Sequence, residues 1–207
     1  MKKVFLVLIL LVTAIFSFSA EIDTTFLSYA EKAADSISNY RDKASILKLI
    51  AVEYAKAGQF DKALNVAGSI CTDFYKDLAF RDIAVELAKA GQFDDALNVA
   101  MSIYDNDDRD DTLRYIASEL AKTGQFDDAL NVAGSICTDF YKDWAFRDIA
   151  SELAKAGQFD KAVNLLNKKI DPYYTAYILI SIHQGYIESN KKIDDNCKGL
   201  LEDIFET

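Results

Sequence analysis

The chain has 207 residues, of which 51% are apolar and one is proline, a composition that suits helices and supplies a sizeable core. Its net charge of −10 excludes nucleic acid and an anionic membrane surface as the main partner, because both require a concentrated positive face. Partners other than polyanions are therefore expected.

Residues 1–20 are predicted to form a signal peptide. Lys2 and Lys3 precede an uncharged apolar run over 4–18, and the small residues Ser19 and Ala20 offer a cleavage site. Cleavage would place the mature chain, 21–207, outside the cytoplasm as a periplasmic or secreted protein. The alternative is an uncleaved membrane anchor, since the run is only slightly shorter than the roughly 20 apolar residues that a spanning helix needs.

The tetrapeptide Gly-Gln-Phe-Asp occurs four times at intervals of 33 residues, beginning at Gly58, Gly91, Gly124 and Gly157. A fixed period of this length is typical of proteins that stack helical repeats. It predicts one continuous all-α domain over 21–207. The predicted units are a half repeat at 25–43, repeats at 44–76, 77–109, 110–142 and 143–175, and a C-terminal capping hairpin at 176–207.

The second repeat indicates how each unit folds. Apolar residues at helical spacing predict an amphipathic helix over 77–89, and Gly91 is placed to end it in the left-handed conformation. A second helix is predicted to begin around Phe93, where acidic residues favour the positive end of the helix dipole. Such a hairpin cannot bury its apolar face alone, so it must stack on its neighbours. An α-solenoid is therefore expected.

The repeat has a large, large, small, large pattern on its first helix, followed by glycine, an aromatic residue and alanine. In the second repeat these residues are Phe80, Ile83, Ala84, Leu87, Gly91, Phe93 and Ala96. The pattern resembles the tetratricopeptide repeat, although that family has about 34 residues per repeat and usually a proline between repeats. The resemblance implies a superhelix whose first helices line a concave groove for an extended peptide or a partner helix.

The resemblance also implies which side chains would line that groove. A row of cations would select acidic side chains or a free C-terminal carboxylate on the ligand, because arginine binds carboxylates through paired hydrogen bonds. The alternative is that each arginine pairs with the aspartate four residues before it, at Asp77, Asp110 or Asp143. The candidate groove residues are Lys48, Leu78, Arg81, Val85, Arg114, Ser118, Trp144, Arg147, Ser151 and Tyr177.

Two segments of the chain, 68–93 and 134–159, are identical at 24 of 26 positions. They differ by Leu78 against Trp144 and by Val85 against Ser151, and both pairs lie in the implied groove. Tryptophan is an amphipathic anchor that often dominates interface energetics, so Trp144 is the leading candidate for a binding hot spot. The alternative is a tryptophan packed beneath a neighbouring repeat.

No pattern in the sequence predicts catalysis, a cofactor or a metal site. The acidic stretch at 105–111 lacks the glycine and glutamate of a calcium loop and is interpreted as a helix N-cap. The single histidine, His183, has no second histidine to share a metal. Cys71 and Cys137 lie two repeats apart, about 20 Å in stacked helix layers, so they are expected to be free.

The sequence thus predicts an exported protein-interaction module or assembly scaffold that is not an enzyme. Its expected partner is a protein or peptide carrying acidic side chains or a free C-terminal carboxylate. Two alternatives remain open. One is a structural envelope component that associates with itself, and the other is a non-catalytic subunit or helical domain of an envelope enzyme.

Overall fold

The computed structural model describes residues 23–167, 170–189, 192 and 195–205. This part of the chain is all-helical, with eleven α-helices, one short 3₁₀ helix and no strand. None of its helices combines the length and hydropathy that crossing a bilayer requires. The predicted signal peptide, 1–20, lies outside the described residues.

Four helices of 17 residues alternate with shorter ones. We call α2, α4, α6, α8 and α10 the long helices. The helices are α1 (Thr25–Asp35), α2 (Tyr40–Lys56), α3 (Phe60–Gly68), α4 (Asp73–Lys89), α5 (Phe93–Ala100), α6 (Asn106–Lys122), α7 (Phe126–Ser135), α8 (Asp139–Lys155), α9 (Phe159–Asn164), α10 (Pro172–Ser189) and α11 (Asp195–Phe205), with the 3₁₀ helix at Leu165–Asn167.

The helices pack in chain order. Each long helix contacts the next long helix, and the short helix between them contacts both. At the ends, α1 packs against α2 and α11 packs against α9. An added Cβ at Gly185 of α10 would lie 2.7 Å from the Cβ of Ala154 in α8, so these two helices approach each other closely.

Each hairpin turn is made by the glycine of the repeated tetrapeptide. Gly58 has a φ of +74°, its amide donates to the carbonyl of Ala55, and the amide of Gln59 donates to the carbonyl of Tyr54 at 2.9 Å. This pair of bonds satisfies two carbonyls at the end of α2 and reverses the chain. The predicted role of the glycine is confirmed, and the same backbone conformation recurs at Gly91, Gly124 and Gly157.

The long helices begin about one turn earlier than predicted. The helix expected from Asp77 starts at Asp73. In α6 the carboxylate of Asp105 accepts hydrogen bonds from the amides of Asp107 and Asp108, and so caps the helix. The interpretation of the acidic stretch as an N-cap is confirmed. The predicted helix was shorter than α4 because the first turn of α4 does not continue the apolar stripe from which the helix was predicted.

The core follows the predicted apolar stripe. Ile83 of α4 and the small Ala84 beside it are fully buried, as are their equivalents in α6 and α8. Alanine at this position lets neighbouring helices approach closely. In α10 the equivalent position holds His183, which is exposed because no further long helix follows among the described residues. Cys71 and Cys137 are free and exposed, as expected, and Cys197 is buried in α11.

Buried aspartates connect successive repeats. Asp77 of α4 accepts hydrogen bonds from the amides of Tyr104 at 3.1 Å and Asp105 at 2.9 Å, in the loop that precedes α6. A carboxylate has two oxygens and can accept from two backbone amides at once. The aspartate therefore fixes the start of the next long helix. Equivalent bonds join Asp110 to the amide of Thr138 at 2.8 Å and Asp143 to the amide of Asp171 at 3.5 Å.

Candidate functional site

The ten candidate groove residues are distributed over the five long helices. Tyr177 is exposed, and the other nine are half-buried. Three of them form one group on α6 and α8, in which Arg114 and Arg147 each contact the ring of Trp144. Lys48 and Arg81 lie on α2 and α4 and take part in ion pairs of their own. Leu78 and Val85 of α4, Ser118 of α6 and Ser151 of α8 complete the set.

The row of cations links neighbouring long helices. Each bridging ion pair runs from a cation on one long helix to an aspartate on the next: Lys48 to Asp82 at 2.5 Å, Arg81 to Asp108 at 3.2 Å, and Arg114 to Asp148 at 3.5 Å. Arg147 pairs with Asp148 on its own helix at 2.7 Å. These cations already have carboxylate partners, so an incoming carboxylate would have to displace one.

The proposed pairing of each arginine with the aspartate four residues before it is wrong. Asp77, Asp110 and Asp143 are buried and bind the backbone of the following loop. The aspartates that neutralise the arginines lie at other helical positions or on the next helix. The sequence did not indicate these partners, because 27 residues separate Arg81 from Asp108 and 34 separate Arg114 from Asp148.

Trp144 is neither fully buried nor isolated on the surface. Its ring lies 4.2 Å from that of Phe140, centroid to centroid. The guanidinium carbons of Arg114 and Arg147 lie 5.6 Å and 5.5 Å from the Trp144 ring, within the range of cation–π attraction. The indole is therefore held in one orientation by neighbours on α6 and α8.

Further aromatic rings extend this contact to α10. The Phe140 ring meets the edge of Tyr174 at 6.1 Å, Tyr173 contacts Tyr174 at 5.2 Å, and the rings of Tyr173 and Tyr177 are 4.9 Å apart. Such offset and edge-on pairs are favourable arrangements for aromatic rings. We call the set the aromatic cluster. It consists of Phe140, Tyr141, Trp144, Tyr173, Tyr174 and Tyr177.

Most of the aromatic cluster was missed by the sequence analysis, which selected only Trp144 and Tyr177. The spacing of the aromatic residues in the sequence could have identified the rest of the cluster. Phe140 precedes Trp144 by four residues and Tyr173 precedes Tyr177 by four, so each pair lies on one face of its helix. Tyr173 also lies 33 residues after Phe140, the interval that separates the four copies of the tetrapeptide.

An open cleft of about 1010 Å³ adjoins the aromatic cluster between the end of α7, the start of α8 and the segment 170–174. Phe140 and Tyr174 are members of the aromatic cluster and also line the cleft. Asp143 also lines the cleft, and its burial raises the pKa of that carboxyl, although the bond from the Asp171 amide opposes the change. The cleft is large enough to hold side chains of a bound segment.

The side of the cluster nearest α6 is acidic. Burial raises the pKa of the Tyr141 hydroxyl, and the carboxylates of Asp111, Asp107 and Asp108 raise it further, while the guanidinium of Arg114 opposes them. The cluster is therefore apolar on α8 and α10, and its α6 side carries both carboxylates and the guanidinium of Arg114, which pairs with Asp111.

Comparisons of the chain with protein-family models, with curated proteins and with solved structures find no match. The resemblance to the tetratricopeptide repeat therefore rests on the pattern within the chain itself. In the described part of the structure, no group of three or more histidine, cysteine, aspartate or glutamate side chains is arranged to hold a metal ion.

Proposed function

We propose that this protein is an exported, non-catalytic interaction module of the tetratricopeptide type. In this proposal its hairpins stack as an α-solenoid with a 33-residue period. Support comes from the four equally spaced tetrapeptides, from the recurring glycine turns, and from the packing of each long helix on the next. The apolar N-terminal stretch with its small-residue end supports export to the periplasm or the medium.

The observation that carries the proposal is the aromatic cluster. Six rings in contact lie on adjacent long helices, and those of Phe140, Tyr173 and Tyr177 are exposed. Large aromatic residues contribute most binding energy at protein interfaces, especially beside a pocket that excludes water. The cluster also borders the open cleft that Phe140 and Tyr174 help to line. We infer that it anchors a segment of a partner protein.

The anchoring group on the partner is expected to be apolar. Arg114 and Arg147 already pair with Asp111 and Asp148, so the cation row offers an acidic ligand little unpaired charge. Exposed rings, by contrast, gain stability when they are covered. In this proposal the anchor of the partner segment is therefore an apolar or aromatic side chain, and the predicted acidic ligand would have to displace an existing carboxylate.

Co-purification tests this function with a matched control inside the chain. The full chain carries a C-terminal tag, is expressed with its own N-terminus, and is recovered from the envelope fraction as wild type, Trp144→Leu or Leu78→Ala. Leucine is the native residue at the equivalent position of the second repeat, so Trp144→Leu should fold normally. We expect a partner that is retained by wild type and Leu78→Ala and lost from Trp144→Leu.

The same preparation tests export. N-terminal sequencing of the recovered protein should begin at residue 20 or 21, because cleavage is expected after Ser19 or Ala20. Identical retained proteins for all three variants would contradict a binding role for the aromatic cluster. A recovered chain that still begins at Met1 would contradict the cleaved signal.

A further inference from the structure

The outer face of α10 carries an apolar stripe that its neighbours leave open. The helix packs against α8 through buried residues such as Ile178 and Ile182. On the opposite side Ile180 and Ile187 are 54% and 64% exposed, in line with two exposed tyrosines. We call this stripe the α10 seam, and it consists of Tyr173, Tyr177, Ile180, Gln184 and Ile187.

The spacing of the α10 seam is that of a coiled coil. Successive members are separated by four, three, four and three residues, which keeps them on one line along a helix that packs against another helix. The fourth member, Gln184, is polar. One polar residue within such a seam is a known means of fixing the register and the number of chains.

The α10 seam is more apolar than the same positions of the other long helices, whereas a helix that caps the stack should be more polar there. Ile180 stands where the earlier repeats have a cation, for example Arg147, and Ile187 stands where they have a buried alanine, for example Ala154. A terminal repeat that faces water should be more polar than the interior ones. Here a charge has been replaced by isoleucine, which indicates that the face is covered in the working protein.

The distribution of charge indicates what kind of surface could cover the α10 seam. The 18 residues of α10 include a single charged side chain, Glu188, which lies 3.8 Å from Lys155. The whole chain has 33 acidic residues and a net charge of −10, so most contacts between two copies would bring like charges together. The α10 seam avoids this repulsion, and an anionic membrane would still be repelled by the rest of the protein.

We propose that α10 of one copy packs against α10 of a second copy along this seam, in a contact with two-fold symmetry. The contact is isologous, so the same five side chains serve both partners and the assembly closes as a dimer. Tyr173 and Tyr177 belong to both the seam and the aromatic cluster, so the contact covers these two rings, whereas Phe140, Trp144 and Tyr174 lie outside the seam.

Sedimentation equilibrium of the full chain tests the proposal. Wild type should form a concentration-dependent dimer. Ile180→Arg introduces the residue found at that position in three other repeats, and it should raise the dimer dissociation constant roughly a hundredfold or more by burying unpaired charge. Ile187→Ala, which copies the equivalent alanines, should raise the constant about tenfold. Unchanged helical circular dichroism would show that the variants fold.

Leu49→Asp is the matched control at the other end of the array. Leu49 of α2 is also exposed, and aspartate is the native residue at its equivalents Asp82 and Asp148. We expect this variant to dimerise like wild type. The proposal is overturned if wild type stays monomeric at its highest soluble concentration or if Ile180→Arg dimerises unchanged. It is also overturned if Leu49→Asp dissociates the particle, since that outcome indicates head-to-tail association through α2.

Discussion

The segments 68–93 and 134–159 differ at two of 26 positions, yet they have different surroundings. Phe74 is 66% exposed in the first segment, whereas the equivalent Phe140 is 43% exposed in the second. Phe140 is covered by Trp144 on its own helix and by Tyr174 on α10. At the position of Tyr174, the neighbour of the first segment carries Asp108.

The two segments also differ in how they hold the loop that follows. Asp77 in the first accepts two amides at 3.1 Å and 2.9 Å, whereas Asp143 in the second accepts one at 3.5 Å. The second segment thus makes fewer and longer hydrogen bonds to the loop that follows it, and it makes more extensive aromatic contacts. Nearly the same sequence therefore leaves its aromatic side chain mostly exposed in one place and packs it into the aromatic cluster in the other, depending on the helix beside it.

The largest expected effect comes from separating α10 from the second segment. In Gly185→Ala the added Cβ would lie 2.7 Å from the Cβ of Ala154 and 2.8 Å from the backbone nitrogen of Lys155. Overpacking of this kind should lower the free energy of unfolding by about 1–3 kcal/mol. Thermal unfolding measures the loss. Gly199→Ala is the control, because an added Cβ there meets nothing within 4 Å, and equal melting temperatures for the two variants would refute the close packing.

A matched pair of substitutions tests the difference between the two loops. Asp77→Ala should lower the free energy of unfolding by about 1–3 kcal/mol, because two part-buried hydrogen bonds from backbone amides lose their acceptor. Asp143→Ala should cost less, since it removes one longer bond. Alanine is already the native residue at the equivalent Ala44. Chemical denaturation of both variants decides the order, and a larger loss for Asp143→Ala would reverse our account of the two segments.

The pH dependence of stability should differ between wild type and Asp143→Asn. Burial raises the pKa of this carboxyl above its usual 3.8, so the folded protein holds the proton more tightly than the unfolded chain. The stability due to this group is fully present below pH 3.8 and is lost as pH rises through the raised native pKa. Asparagine does not titrate. The difference in unfolding free energy should therefore shift in favour of Asp143→Asn as pH rises, and a pH-independent difference would contradict the assignment.

Trp144→Leu should have the smallest effect on stability. The substitution removes the indole and its contacts with Phe140 and two guanidinium groups, which together contribute about 0.5–1.5 kcal/mol to the free energy of unfolding. Since leucine is accepted at the equivalent Leu78, no cavity in the core is expected. Calorimetry of the variant checks this prediction. A loss as large as that of Gly185→Ala would mean that Trp144 is a core residue, and the binding role would then lack support.

The sequence was most informative where the cause of structure is local. The glycine that ends α4 and the apolar stripe from Phe80 to Leu87 depend on neighbouring residues, and both were predicted. The bond from the Tyr104 amide to Asp77 and the contact of Phe140 with Tyr174 join residues 27 and 34 positions apart. The orientation of one repeat on the next determines such contacts, and no local pattern encodes it. They are the contacts that distinguish the two segments.

The most direct test of the central claim is the affinity of the recovered partner for three forms of the chain. The fluorescence of Trp144, the only tryptophan, reports binding to wild type, and calorimetric titration measures binding to Trp144→Leu and Leu78→Ala. We predict a dissociation constant at least about thirtyfold higher for Trp144→Leu and close to that of wild type for Leu78→Ala. Equal dissociation constants for all three forms would contradict the claim that the aromatic cluster binds the partner.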